Sequence, residues 1–199
     1  MNNLLKKAQD KKQKWLGKQT EEESTDSEED LTSDDEFDVS QDVIYKLYNN
    51  RYIPIKYIGR GTFSRVWLTY DIIENKLVGM KSIFEEFKEE AKDEIKRCEG
   101  IKKHIKEHTF QDIRLSTLYD NFIHKNGDIC LIFELLGVSM VAIMEKFDGI
   151  IHLNAVKRIM KDILNGLNTL HELQLIHTDL KPENILTNIY TRGILFYKQ

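Results

Sequence analysis

Between His177 and Asn184 the chain reads His-Thr-Asp-Leu-Lys-Pro-Glu-Asn, which sets an acid, a cation and an amide within one short stretch. Those three groups suit phosphoryl transfer. Asp179 can accept or orient the proton of an attacking hydroxyl, Lys181 can offset charge gathering on the transferred group, and Asn184 can bind a magnesium ion. A polar surface loop after a buried helix would account for any one of these residues. It does not account for their joint order with Pro182 and Glu183.

Such chemistry needs a nucleotide held against the loop. Gly59-Arg60-Gly61-Thr62-Phe63-Ser64-Arg65-Val66, with Ile58 just ahead of it, has glycines where backbone amides must come close to a triphosphate, and Val66 is placed to pack on adenine. By itself this stretch reads as well as an ordinary hairpin, and Ser64 stands where a third glycine is usual. Lys81, in Val78-Gly79-Met80-Lys81, reverses that reading, because a lysine on the third strand is positioned for the α and β phosphates. A lysine in that role has to be held by an acid. Glu94, in Asp93-Glu94-Ile95-Lys96, is the candidate, with Glu89, Glu90 and Asp93 competing for the same register.

The elements that must position these groups follow from periodicity. Tyr52 to Ile58, Phe63 to Tyr70 and Leu77 to Lys81 read as three strands of an antiparallel meander. A polar helix is expected from Glu85 to Lys106, with a sparse apolar stripe at Phe87, Ala91, Ile95 and Cys98. Two more strands, Leu115 to Ile123 and Ile129 to Phe133, flank the hairpin signal Lys125-Asn126-Gly127-Asp128. After Gly137 the chain turns helical. Its clearest helix runs from an Asn154 cap to about Leu173, with Val156, Ile159, Met160, Ile163, Leu164, Leu167 and Leu170 at helical spacing.

Strands, helix and motifs in this order resemble a eukaryotic-type serine/threonine protein kinase. Lys181 within Asp-Leu-Lys-Pro-Glu-Asn is similar to serine/threonine rather than tyrosine kinases. Gly59 to Leu68, Phe133-Glu134-Leu135-Leu136-Gly137 and His177 to Leu186 together look like the SR-protein kinases, which phosphorylate serines in Arg-Ser repeats. The likeness covers roughly Asn50 to Leu186. It implies an α+β, two-lobed, protein-kinase-like fold: a five-stranded antiparallel small lobe with one helix, then the first helices and catalytic loop of a truncated large lobe. It also implies ATP and Mg2+ as cofactors, Phe133 as gatekeeper, and hinge backbone at Glu134 and Leu136 meeting adenine, with Leu186 counted among the nucleotide-binding residues. Thr178 in place of the loop arginine removes the usual partner of a phosphorylated activation loop. The expected layout is a tail at 1–40, a connecting segment at 41–51, and a kinase domain at 52–199 with small lobe 52–133, hinge 134–137 and partial large lobe 138–199.

Composition bounds the rest. In 199 residues, 41% are hydrophobic and 31% charged, so a core can form while part of the chain stays solvated. Residues 6 to 18 are Lys-rich, and Glu21 to Asp38 are acidic without Lys or Arg. Such runs repel themselves and read as a disordered tail. That tail is a solvating arm or a regulatory one, since Ser27, Thr32 and Ser33 each have an acid three positions on. The lysines alternatively mark a localisation or nucleic-acid patch, against which the net charge of −4 argues. Cys98 and Cys130 lack disulfide or zinc spacing. No apolar run reaches the about 20 residues of a membrane helix, and no signal peptide is visible. The expectation is a soluble intracellular protein, nuclear and cytoplasmic locations being equally open. From Thr187 to Gln199 no aspartate occurs, so no Asp-Phe-Gly equivalent can be assigned. The expectation drawn from that is low turnover, and a partner or chaperone covering apolar surface. The alternative function is a non-catalytic pseudokinase or half-kinase acting as a nucleotide- or partner-binding module.

Overall fold

The computed structural model describes residues 43–108, 114–188 and 194–196. The expected tail at 1–40, with Ser27, Thr32 and Ser33, and the stretches 189–193 and 197–199 lie outside the described residues. Strands β1 (Tyr52–Gly61), β2 (Ser64–Asp71) and β3 (Lys76–Ile83) form the expected meander. Strands β4 (Leu118–Ile123) and β5 (Ile129–Glu134) complete an antiparallel sheet of order β1-β2-β3-β5-β4. The β4–β5 turn closes with the Gly127 N–H donating to the His124 carbonyl at 3.0 Å, and Gly127 takes a φ of +92° that a side chain rarely adopts.

The unbroken apolar run of β5 is explained by its place inside the sheet. Ile129, Leu131 and Phe133 face one cluster, and Cys130 and Ile132 face the other, so both sides of the strand are buried. Burial pushes the Cys130 thiol up to about 12, which keeps it protonated and unreactive. The first face is covered by α1 (Lys88–His108), whose Ala91, Ile95 and Cys98, with Phe87 before them, pack on Ile83, Leu118, Leu131 and Phe133. The helix starts three residues after the expected Glu85, because Glu85–Phe87 form a 3-10 turn following an extended Phe84. The second face holds Tyr52, Trp67, Val78 and Met80. Tyr48, Val43 and Ile44, from the expected connecting segment 41–51, pack against it.

Ion pairs of Arg51, the shortest of them with Asp71, fasten that segment to the sheet. The Arg51 guanidinium reaches both oxygens of Asp71 at 2.9 and 2.7 Å, and the backbone N–H groups of Ile73 and Glu74 donate to Asp71 Oδ1. Burial pushes the Asp71 carboxyl up, but Arg51 and the two N–H groups together hold it below the usual carboxylate range. Because its folded value is depressed, its contribution is present above the ordinary aspartate value of about 3.9 and is lost as pH falls below it. Asp71→Ala leaves two N–H groups without their acceptor and Arg51 with only its longer contacts to Asp120 at 3.7 Å and Glu74 at 3.9 Å. It is expected to cost about 1–3 kcal/mol in a denaturant titration at neutral pH, and the gap from wild type should shrink on acidification.

Past the sheet come α2 (Met140–Lys146), capped by Ser139 accepting the Ala142 N–H at 3.3 Å, and α3 (Leu153–Glu172). The cap of α3 is His152, not Asn154. The helix begins at Leu153, so Asn154 lies in its first turn and donates its orphan N–H to His152 Nδ1. Ile159, Ile163, Leu167 and Leu170 turn into a third cluster with Leu115, Met140 and Ile185, which Ile101 of α1 joins. A buried pair, Arg114 Nε to Asp162 Oδ1 at 3.2 Å, ties the segment before β4 to α3. Val156, Met160 and Leu164 of the expected stripe lie on an adjoining face and are exposed. Short strands β6 (Ile185–Thr187) and β7 (Ile194–Phe196) pair antiparallel. Among the described residues no helix is long and apolar enough to cross a membrane.

Candidate functional site

Lys81 sits on β3 opposite Val66 of β2 and Leu131 of β5, so the sheet fixes where its side chain departs. Its ammonium lies 2.9 and 2.8 Å from the two oxygens of Glu94. Glu94 follows Ala91 by three residues and precedes Cys98 by four, so it shares the face of α1 that rests on the sheet. The competing acids are directed elsewhere: Glu89 pairs with Lys92 at 2.7 Å, and Glu90 and Asp93 are exposed. Both partners of the Lys81–Glu94 pair are largely shielded, with side chains 8% and 13% exposed, so the interaction is little screened by water.

A cavity of about 600 Å³ opens beside this pair. On the side of β1 and β2 it is lined by Gly59, Arg60, Gly61, Ser64, Val66 and Leu68. Gly79, Lys81 and Phe133 form its back, residues 134–139 its rim, and Glu183, Asn184 and Leu186 its floor. Ile58 also lines the cavity. Walls of Val66, Leu68, Phe133 and Leu186 suit a flat apolar base, and the glycine backbone with Lys81 suits an anionic tail.

The rim is held on two sides. Thr117 N–H donates to the Glu134 carboxylate at 2.9 Å while Glu134 N–H donates to the Thr117 carbonyl at 3.2 Å. Gly137 N–H donates to Thr187, and Thr187 N–H to Val138. Burial pushes the Glu134 carboxyl above its ordinary range, offset in part by the Thr117 donors. Its side chain is therefore committed to the local frame, and backbone is what the rim presents.

The acid, cation and amide read from the sequence converge. His177 is buried, and Thr178 turns the chain at a φ of +64°, a left-handed conformation uncommon for a β-branched residue. The Thr178 hydroxyl and the Asp179 N–H both donate to the His177 carbonyl, at 2.7 and 2.9 Å. Asn184, buried at the end of the 3-10 turn Pro182–Asn184, donates its amide to the Asp179 carbonyl and to Asp179 Oδ2, each at 2.9 Å. Lys181 Nζ lies 3.1 Å from the same Oδ2. Lys181 first, then Asn184, hold the Asp179 carboxyl below the usual carboxylate range, so it is an ionised acceptor at neutral pH.

Of the residues expected at a nucleotide, Ile58, Gly59, Arg60, Gly61, Ser64, Val66, Lys81, Glu134, Leu136, Leu186 and Asn184 line the cavity. Thr62, Phe63 and Arg65 do not. They lie at the loop tip or face away, and Phe63 stacks on Phe87. Glu94 acts through Lys81, while Asp179 and Lys181 stand next to Asn184 outside the lining. Leu68 and Gly79 were missed by sequence reasoning, yet they were signalled: Leu68 shares the face of Val66 two residues on, and Gly79 pairs directly with Leu68. Among the described residues no three His, Cys, Asp or Glu side chains converge as a metal site. Asn184 is the expected metal donor among them.

Comparison with known proteins gives the family. The family model described as protein kinase domain matches residues 52–194. Serine/threonine-protein kinase SKY1 of Saccharomyces cerevisiae is 38% identical over 148 residues, covering 70% of this chain and 20% of that protein. Protein kinase dsk1 of Schizosaccharomyces pombe is 33% identical over 148 residues, 71% of this chain and 27% of the relative. Serine/threonine-protein kinase spk-1 of Caenorhabditis briggsae is 34% identical over 161 residues, 77% of this chain and 14% of the relative. The chain thus spans roughly a quarter or less of the length of these curated relatives.

Proposed function

The chain belongs to the protein kinase family, and we propose on that basis that it binds ATP in the cavity and directs the γ-phosphate to a serine or threonine hydroxyl of a protein. The observation that carries this reading is the buried Lys81–Glu94 pair at the back of the cavity, with Asp179, Lys181 and Asn184 beside its floor. Glycine backbone and Lys81 would hold the triphosphate, and Val66, Leu68 and Leu186 would hold the base. Asp179 would orient the incoming hydroxyl and take its proton, while Lys181 would sit over the charge that the transferred group develops. A protein kinase domain uses ATP and a divalent metal in general. Here Asn184 would be a ligand, and the metal would neutralise phosphate charge.

The proposed substrate is Arg-Ser-rich protein. Support comes from the likeness of Gly59 to Leu68, Phe133 to Gly137 and His177 to Leu186 to the SR-protein kinases. A second reading, a nucleotide-binding module without turnover, is favoured by one observation. The cavity and the Lys81–Glu94 pair are assembled by described residues, whereas metal ligation among those residues rests on Asn184. One assay separates the two: labelled phosphate transfer from ATP and magnesium to an Arg-Ser repeat peptide and to a Lys-Ser peptide of equal length, beside ATP binding by calorimetry. Transfer to the Arg-Ser peptide above the Lys-Ser peptide supports the kinase reading with its substrate. Binding without transfer to either supports the module. No binding overturns both.

A further inference from the structure

The glycine loop ends in an aromatic ring that the cavity does not use. Phe63 stands at the two-residue tip between β1 and β2, and 44% of its surface remains exposed. Its ring stacks on Phe87, with centroids 4.3 Å apart and planes tilted by 35°. A backbone bond runs alongside, the Phe84 N–H donating to the Phe63 carbonyl at 3.2 Å, and Arg65 places its guanidinium 5.0 Å from the Phe84 ring centre. The loop tip is thus fastened at several points to the segment that leads into α1.

Phe87 is not a free surface residue. It packs on the cluster that includes Ile83, Ala91 and Leu131, and α1 begins at the next residue. A helix is stiff along its axis, and Glu94 lies seven residues beyond Phe87, about 10 Å of helix. A displacement of Phe87 is therefore carried to Glu94. The Lys81–Glu94 contact, at 2.8 Å, tolerates little displacement before a charge-assisted hydrogen bond is lost.

We propose that Phe63 is a positioning residue: stacked on Phe87, it conveys the seating of the glycine loop on a nucleotide to α1 and so to the Lys81–Glu94 pair. Loop closure and lysine placement are then one event. This rests on the reading of the cavity as a nucleotide site, and it goes beyond it by giving a tip residue outside the cavity a part in forming the site. An exposed ring on a glycine-rich tip has poor packing of its own, so Phe87 is its natural seat.

Hydrogen–deuterium exchange on the full chain, with and without ADP and magnesium, tests the proposal. In the wild type, nucleotide should slow exchange in residues 59–66 and also in 88–98. In Phe63→Ala, protection of the loop should remain while protection of 88–98 is lost, and the Kd for ADP should rise about threefold to tenfold. Phe63→Tyr should restore both. Phe87→Leu keeps the core filled while removing the ring partner, so it should reproduce the loss, and the double variant with Phe63→Ala should be no worse. Nucleotide-dependent protection of 88–98 that persists in both single variants overturns the proposal while leaving the nucleotide site standing. Absence of ADP binding to the wild type, seen by calorimetry, overturns the nucleotide site and the proposal with it.

Discussion

Lys81→Met is expected to lower the unfolding free energy by about 3–5 kcal/mol and to weaken ATP binding by at least about tenfold. The first effect follows from burial. The Glu94 side chain is 13% exposed, and removing the cation leaves its shielded carboxyl group without its partner. Against a domain stability of about 5–15 kcal/mol, this brings the fold near its limit. The second effect follows from losing a charged donor to phosphate, for which about 1.5–3 kcal/mol is usual. The two effects can be separated. Lys81→Met with Glu94→Leu removes both charges and should recover most of the stability, because a filled apolar pair replaces a buried ion pair at little cost. It should recover none of the affinity. Denaturant titration and calorimetry of the three variants read out both quantities. If the single variant loses under about 1 kcal/mol, the pair is screened like a surface salt bridge and the burial argument is wrong.

The strands and helices were legible where one local pattern decided the outcome. The Ile129–Phe133 run marked a strand, which the structure buries on both faces, and Ala91, Ile95 and Cys98 marked the apolar stripe of a highly charged helix, which the structure lays on the sheet. What was not legible depended on partners distant in sequence. Strand β4 was expected from Leu115 but starts at Leu118, because Leu115 turns into the cluster under α3 and Thr117 gives its N–H to the Glu134 carboxylate. Neither event leaves a mark near residue 115. The start of α1, by contrast, lies at Lys88 rather than Glu85 because Glu85–Phe87 form a 3-10 turn after an extended Phe84, a local geometry the charge pattern of that stretch does not signal. Val43, Ile44 and Tyr48 carry too short a pattern to announce that they cover the second face of the sheet.

The site divides in the same way. Residue types and order placed Lys81, Asp179, Lys181 and Asn184 on two different elements, and three of these four are chemically committed by local spacing in one loop. The left-handed turn at Thr178 could not be read, because nothing about threonine favours a φ of +64°. It becomes intelligible only with the fold in view: buried His177 ends one packed segment, and Asp179 must emerge beside Asn184 immediately after it. The choice of Glu94 among four acids was decidable in principle by phase, since it alone of them falls between Ala91 and Cys98 on the apolar stripe. The direction of Phe63 was not, because a loop tip has no periodicity.

Asp179→Asn should then separate chemistry from binding. The amide keeps the size of the carboxylate and can still accept from Lys181 and Asn184, so the loop should hold its shape and ATP affinity should stay within about twofold of wild type. Transfer to the Arg-Ser peptide should fall by about 10²- to 10⁴-fold, the usual worth of a positioned general base. The pH dependence adds an independent check. Lys181 and Asn184 hold the Asp179 carboxyl below its ordinary range, so the ionised form persists under acid conditions that would protonate a free aspartate. Between about pH 5 and 8 the wild-type rate should show no acid limb from this group. Lys181→Met removes the largest of those influences and should move the limb upward in pH, besides slowing transfer. Single-turnover transfer across pH, with bound ATP in excess, measures each of these. Should Asp179→Asn retain more than about a tenth of the wild-type rate, Asp179 is not the proton acceptor, and the hydroxyl must be oriented by another group facing the floor of the cavity, of which Glu183 is the first to substitute.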